Sequence, residues 1–427
     1  MRVLWFTNTP SLFIQNNEII FGGGNSGGWI SSLERELKKN PQIELGVCFN
    51  YNRTGKKVVN GTTYYPIQRP HKNILYTLKQ ISISKSKASL EHEMLAVPAL
   101  LQVVNDFKPD IIQVFGSENI YGVLAYHTDV PIVLHIQGLL SACYNTFLPP
   151  GVSWHDYLFS DWNPRHIISR FSNKFAWSRN VLSEQRMFKR LKYVMGRTEW
   201  DKEVSSVLGF VANATYYHCD EILREAFYVD EERNPAEKII FVTTISAFLY
   251  KGYDIVLKTA NILKNMVGLD FEWRVYGYVD TILPEKKSGL RPEDVNVRLM
   301  GLASAEQLQK ALLSATAYVH TSYIENSCNA IGEAQMMGCP CVAFNVGGTN
   351  TLIENNMSGY LVPSNDIYQL AYKMSYLAKH PESREKLGHA GKLAARKRHD
   401  KDTICHRVLE IYRDVLAREK RTRYAEK

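Results

Sequence analysis

No run of uninterrupted apolar residues in this 427-residue chain approaches the ~20 that a membrane-spanning helix requires, so a helical transmembrane role is excluded. The opening, Arg2-Val-Leu-Trp-Phe-Thr7, lacks the basic, apolar and small-residue order of a secretory leader, which predicts a cytoplasmic protein. Cysteine is sparse: the seven residues Cys48, Cys143, Cys219, Cys328, Cys339, Cys341 and Cys405 form no Cys-x-x-Cys pair, against a zinc hairpin or disulfide framework. Cys339 and Cys341 flank a proline at the start of an apolar run and read as small core residues. The sequons at Asn52, Asn60, Asn213 and Asn356 are then chance matches. Short-period repeats and low-complexity tracts are absent, which excludes solenoids. A formal charge of +8 with no accompanying nucleic-acid-binding module argues against a nucleic-acid partner.

Apolar strands alternating with helices run from end to end, the pattern of parallel sheets covered on both faces. The first series has strand candidates at 3–7, 45–49, 63–67, 110–115, 132–136, 193–196 and 215–218. A polar, proline-bearing stretch at 229–238 reads as a linker, and a second series follows at 239–245, 271–276, 297–300, 317–320, 341–345 and 360–362. So long a chain exceeds a single core, and each series suffices for a doubly wound domain, with a ligand cleft where their strand ends face each other.

Glu325 and Glu333 stand eight residues apart in Ser322-Tyr-Ile-Glu325-Asn-Ser-Cys-Asn-Ala-Ile-Gly-Glu333. The first leaves a strand; the second lies within the next helix, whose free N–H groups and positive dipole end suit a phosphate. Open α/β sheets bind ligands at such strand exits, so the two carboxylates could hold opposite ends of a nucleotide sugar. Eight helical positions span roughly 12 Å. A glycoside hydrolase needs its two carboxyls about 5 to 9.5 Å apart, which disfavours that use of the pair. The plain alternative for Glu325 is a solvated charge at a helix entry.

Phe21-Gly-Gly-Gly-Asn-Ser-Gly-Gly28 precedes a helical pattern, and Gly22, Gly24 and Gly27 spell a dinucleotide fingerprint with Glu44 beyond it. The context fails, because a loop separates the glycines from the first strand and Glu44 precedes the second strand instead of ending it. Lys251-Gly252 follows strand 239–245 and opens a helix, where a lysine is a compact charge for a diphosphate. His135 ends a buried strand and reads either as a core residue or as a ligand group. Asp400-Lys-Asp402 spells a metal-binding pattern but sits where Asp caps a helix. In the segment 165–197, Arg165, Arg170, Lys174, Arg179, Arg186, Lys189, Arg190, Lys192 and Arg197 interleave with aromatic residues and face only Glu184 among acids. That segment reads as an amphipathic helix with a solvated basic face, or as a peripheral contact for an anionic membrane surface.

Together these residues resemble the retaining glycosyltransferase family 4, of the two-domain GT-B fold. The likeness is carried by Lys251-Gly252, Gly277, Gly301, Ser322 before Glu325, the Glu-x7-Glu pair, Gly338-Cys-Pro340, Gly347-Gly348 and Gly359-Tyr-Leu-Val-Pro363. The first half matches through the glycine loop, Pro109-Asp110 and His135, and 196–201 looks like a bacterial subgroup that builds surface polysaccharides. The resemblance implies an acceptor domain at 1–230, a donor domain at 231–402 and a last helix, 403–427, returning to the first. Glu325 would meet donor-sugar hydroxyls, Glu333 those of the ribose, and Lys251 with the amides of Asn326, Ser327, Cys328 and Asn329 the diphosphate. Gly23, Gly24, Ser246, Gly277 and Gly301 would line the donor site, and His135 would lie beside the reacting sugar. The family usually carries an Arg where this chain has Ser246, so the charge falls on Lys251 or on an Arg from elsewhere, such as Arg197 or Arg224. No metal and no cofactor are expected; the partners are a nucleotide sugar and a glycan or lipid-linked acceptor. Rival readings are a GT-B-fold nucleotide-sugar epimerase, a non-catalytic nucleotide-sugar-binding relative and a nicotinamide oxidoreductase.

Overall fold

The computed structural model describes residues 1–15, 18–19, 28–68 and 82–425, so Gly23 and Gly24, with the rest of the loop to Gly27, lie outside the described residues. The chain forms two compact units, one of 1–144, 172–222 and 400–427, the other of 145–171 and 223–399. The main division therefore falls at 222/223, against the 230/231 of the sequence reading, and 145–171 groups with the second unit. What ties that segment there is long-range: Asp156 meets Lys287 at 2.8 Å, and Lys286 donates to the Ser160 carbonyl at 3.1 Å. The helix Lys401–Ala425 belongs to the first unit, where Trp5 Nε1 donates to Tyr412 Oη at 3.0 Å and Tyr217 Oη to Asp414 at 2.6 Å.

In the first unit the strands are β1 (Arg2–Thr7), the short antiparallel pair β2 (Ile14–Gln15) and β3 (Glu18–Ile19), β4 (Glu44–Tyr51), β5 (Lys57–Val59), β6 (Thr62–Gln68), β7 (Ile111–Phe115), β8 (Ile132–His135), β9 (Tyr193–Gly196) and β10 (Thr215–His218). Apart from β2 and β3 they form one sheet in the order β10-β9-β8-β7-β1-β4-β6-β5, parallel except for the edge strand β5. In the second unit β11 (Ile239–Ile245), β12 (Phe271–Gly277), β13 (Val297–Gly301), β14 (Ala317–His320), β15 (Cys341–Phe344) and β16 (Tyr360–Val362) form a wholly parallel sheet, β13-β12-β11-β14-β15-β16.

Each sheet grows outward from its first strand, then returns to that strand and grows the other way. This doubly wound order makes a crevice where the direction reverses, between β1 and β7 and between β11 and β14. Continuous apolar runs give such strands because helices cover both faces: Phe241, Val242, Trp273, Tyr318, Val319 and Val342 are fully buried. Burying side chains of this size contributes roughly 1.5–3 kcal/mol each, against at most about 1 kcal/mol for an exposed ion pair. The sheets are therefore rigid platforms for the loops at their ends.

The basic stretch is only partly a solvated face. The helix Pro164–Phe188 stops before the last four of its cations, and Arg170, Arg179 and Arg197 are buried. Arg170 meets Asp161 at 2.9 Å, and Arg197 lies 3.7 Å from Glu221. Both acids come from outside the stretch, which is why its composition alone suggested unopposed charge.

Candidate functional site

The reversal point of the second sheet gathers the motif residues. After β11 the chain makes a short turn, Leu249–Lys251, and Gly252 follows with φ 77°. A Cβ at Gly252 would stand 2.0 Å from the Thr321 carbonyl oxygen, so only glycine lets this turn lie against the exit of β14. Thr321 Oγ1 donates to the Lys251 carbonyl at 3.0 Å and Tyr323 N to that of Tyr250 at 2.8 Å, which joins the two strand exits. Lys251 Nζ thereby reaches Glu325 Oε2 at 2.7 Å. On the far side Gly347, with φ 52°, packs its backbone on the Glu325 carbonyl, to which Gly348 N donates at 3.1 Å.

His320, the last residue of β14, brings its Nε2 to the same Glu325 Oε2 at 3.1 Å, while its Nδ1 lies 3.6 Å from Cys328 Sγ. Cys328 is the N-cap of the helix Asn329–Met336, and its side chain caps no backbone N–H. Burial opposes ionisation of both Lys251 and Glu325, but Glu325, with Tyr250 and Cys328, raises the ammonium, and Lys251 together with His320 lowers the carboxyl from its usual value. Burial likewise opposes the imidazolium of His320, yet Cys328 and Glu325 raise it to about 9. His320, Glu325 and Cys328 bring donor atoms within 4.8 Å of one another, a metal-ligating set by chemistry. Within that set the Lys251 ammonium and His320 Nε2 both meet Glu325 Oε2, so the carboxylate is already held by two donors.

Glu333 lies on the same helix, with its side chain 4% exposed. Arg224 Nε and Nη2 donate to its two oxygens at 2.7 Å each, and the guanidinium stacks over Phe227 at 5.1 Å. Asn326 and Ser327 are buried in the loop between Glu325 and the helix. Ser246 is exposed just past β11, and Gly277 and Gly301 end β12 and β13, so all lie at the same end of the sheet. Of the cations weighed for the diphosphate, Lys251 faces Glu325, Arg224 faces Glu333, and Arg197 belongs to the first unit.

In the first unit His135 is fully buried, with Nδ1 3.1 Å from Gln113 Nε2 and its ring 5.1 Å from that of Trp29. Burial first, and Arg197 second, depress its pKa to about 3, so the ring is neutral in use. At the reversal point of this sheet Asn8 Nδ2 lies 3.4 Å from Glu118 Oε2. The Glu118 carboxylate occupies space that a side chain on Gly116 would need, and burial, with Glu184 nearby, pushes it up to about 7. Glu118 and His320 were not singled out by sequence reasoning, although each sits at or just beyond a strand end, the one available signal. Glu44 begins β4 and pairs with Arg2 at 2.8 Å, at the end of the strand away from any dinucleotide crevice. Asp400 accepts from Thr403 N at 2.8 Å and caps its helix, and none of the seven cysteines is in a disulfide.

The two units are Rossmann-like α/β domains, and the solved structures that resemble the chain have the GT-B architecture of glycosyltransferases. Sucrose-phosphate synthase from Thermosynechococcus elongatus superposes with a TM-score of 0.70 at 15% identity, covering 97% of this chain and 99% of that one. Anabaena HepE in complex with UDP and glucose does so with a TM-score of 0.60 at 15% identity, covering 97% and 100%. Residues 226–394, which hold Lys251, His320, Glu325, Cys328 and Glu333, match the family model of glycosyl transferases group 1. The amylovoran biosynthesis glycosyltransferase AmsK of Erwinia amylovora is 30% identical over 129 residues, 28% of this chain and 31% of that protein. The chain matches less than a third of the length of its curated relatives.

Proposed function

We propose that the protein is a glycosyltransferase that moves a sugar from a nucleoside-diphosphate sugar to an acceptor hydroxyl, with retained configuration and without a metal, in the synthesis of a bacterial surface polysaccharide. The observation that carries this reading is the cluster of Lys251, His320 and Glu325 at the reversal point of the second sheet, within the matched stretch 226–394. In support stand AmsK, a biosynthetic glycosyltransferase of amylovoran, and HepE, whose structure holds UDP and glucose.

In this reading Glu325 receives hydroxyls of the donor sugar, and Glu333 those of the ribose. Lys251 and the amides of Asn326, Ser327, Cys328 and Asn329 receive the diphosphate; Ser246, Gly277 and Gly301 line the same strand ends. The bond from the anomeric carbon to the diphosphate breaks, the acceptor oxygen bonds to that carbon, and the acceptor proton passes to the departing phosphate. Negative charge grows on the leaving group, so cations already in place stabilise the transition state more than the ground state. His135 is assigned a neutral, hydrogen-bonding part on the acceptor unit, since its ring is uncharged and keeps a single N–H. The acceptor is a glycan or lipid-linked sugar. Peripheral contact with an anionic membrane through 165–197 draws support from Trp162 and Ile168, which are 77% and 68% exposed beside that segment's basic residues.

The test is turnover with a panel of nucleotide sugars and undecaprenyl-linked acceptors, in chelator, with the product anomer read by NMR. A new glycosidic bond of retained configuration is expected. A requirement for Mn²⁺ or an inverted anomer defeats the mechanism; conversion of the donor alone favours the epimerase, and binding without turnover the non-catalytic relative.

A further inference from the structure

Glu325 Oε2 receives two donors, Lys251 Nζ at 2.7 Å and His320 Nε2 at 3.1 Å, while Oε1 takes no hydrogen bond from any described residue. One donor would leave the carboxylate free to swing about its terminal torsion, which is broad for this side chain. Two donors from different strand exits remove that freedom. His320 can hold this place because its own ring is held: the side chain is 4% exposed, Nδ1 lies 3.6 Å from Cys328 Sγ, and the ring stacks on Tyr318 at 6.4 Å.

The charge count depends on the same ring. The titratable and charged groups around His320 are Glu325 and Cys328 from the loop and helix start, Lys251 and Tyr250 from the turn after β11, Tyr318 from its own strand and Cys341 from β15. Lys251 and Glu325 form an ion pair whose charges cancel, and a protonated His320 adds one positive charge to that pair. Ser246, where the resembling family carries an arginine, supplies no charge.

We propose that His320 is a positioning residue of the donor site, locking Glu325 with Oε1 turned to the donor sugar and supplying, beneath the diphosphate, the second positive charge that Ser246 does not. This rests on the donor-site reading given under Proposed function. Burial disfavours the imidazolium, but Cys328 and Glu325 outweigh it and raise the group to about 9, which keeps the charge in place at neutral pH. Above that range the ring loses its charge, and a diphosphate should bind less well.

Three measurements on the full chain test this. Calorimetry of wild-type protein with UDP, GDP, ADP and TDP near neutral pH addresses the donor site; tight binding of at least one is expected, and no binding of any overturns the donor-site reading. Histidine-labelled protein, with the His320 signal assigned by its loss in His320→Gln, gives the ring's own titration whether or not nucleotide binds. A midpoint near 9 is expected, and one at or below the ordinary 6.5 overturns the proposal. His320→Gln keeps a hydrogen-bond donor and removes the charge; its affinity for the bound diphosphate should fall about tenfold at neutral pH and lose the alkaline decline of the wild type. A folded His320→Gln with wild-type affinity and the same pH profile also overturns it. His320→Leu should in addition lower kcat, because Glu325 is then held by Lys251 alone.

Discussion

Arg224 grips Glu333 through two parallel hydrogen bonds of 2.7 Å, one to each carboxylate oxygen. The arginine lies just past the division between the units, and the sequence offered it only as a cation for the diphosphate. The fork of the guanidinium thus fixes the plane of the carboxylate as well as its charge. Arg224→Ala would leave Glu333 buried without its cation. We expect a loss of about 3 kcal/mol in urea unfolding, near the lower end for a broken buried pair because the arginine keeps some solvent contact. Unchanged stability would mean that the pair adds nothing to the unit's fold.

Lys251→Ala removes the ammonium from Glu325 but leaves His320 on the same oxygen. Stability should fall by only about 1–2 kcal/mol. The kcat for donor turnover should fall about a hundredfold or more, as for the removal of one preorganised donor to a developing anion. Steady-state kinetics beside a thermal melt separates the two effects, and unaltered kcat would place the phosphate elsewhere.

Gly252→Ala tests the close approach that carries Lys251. Its positive φ costs about 1–2 kcal/mol for a residue with a Cβ. The Thr321 carbonyl, 2.0 Å from where that atom would sit, must move as well. A destabilisation above about 2 kcal/mol is expected, with donor turnover falling in step because the turn and Glu325 separate. Unfolding curves with wild-type midpoints would contradict the packing.

Glu118→Gln should stabilise the protein at alkaline pH. The folded state holds this carboxyl up at about 7, chiefly by burial, above the ordinary 4.5, so folding takes up a proton between these values. Wild-type stability from this group is therefore full below about pH 4.5, declines through the window up to 7 and stays reduced above it. The glutamine variant loses that decline. Melting curves at pH 8 should show a gain of about 3 °C or more over wild type, shrinking towards pH 4.5. A gain that does not change with pH would assign it to packing.

Strand positions were the most legible part of the fold. The expected ranges 193–196, 215–218, 239–245, 317–320 and 360–362 coincide with β9, β10, β11, β14 and β16, because a run buried on both faces ends sharply at polar or glycine-bearing turns. The edge strand β5, Lys57–Val59, escaped notice because two of its three residues are exposed and its single partner lends it no core face. Lys251, Glu325 and Glu333 stood out through spacing. What spacing did not reveal was how they are held, since Arg224 pairs across 109 positions and Lys251 across 74. His320 is the last letter of a four-residue strand that reads as core, and its ion pair depends on a loop that doubles back. For the same reason 145–171 grouped with the wrong neighbour on paper: its tie to Lys286 and Lys287 leaves no local trace.

Trp5 and Tyr412 touch in the core of a sheet although 407 positions separate them. A ribosome makes the tryptophan 407 residues before the tyrosine, so the first unit cannot complete this packing until the helix Lys401–Ala425 has been made. The second unit, closed by residue 399, has all its strands before the helix that finishes its companion emerges. The unit that holds the earlier first strand is thus the one whose last packing element is made later.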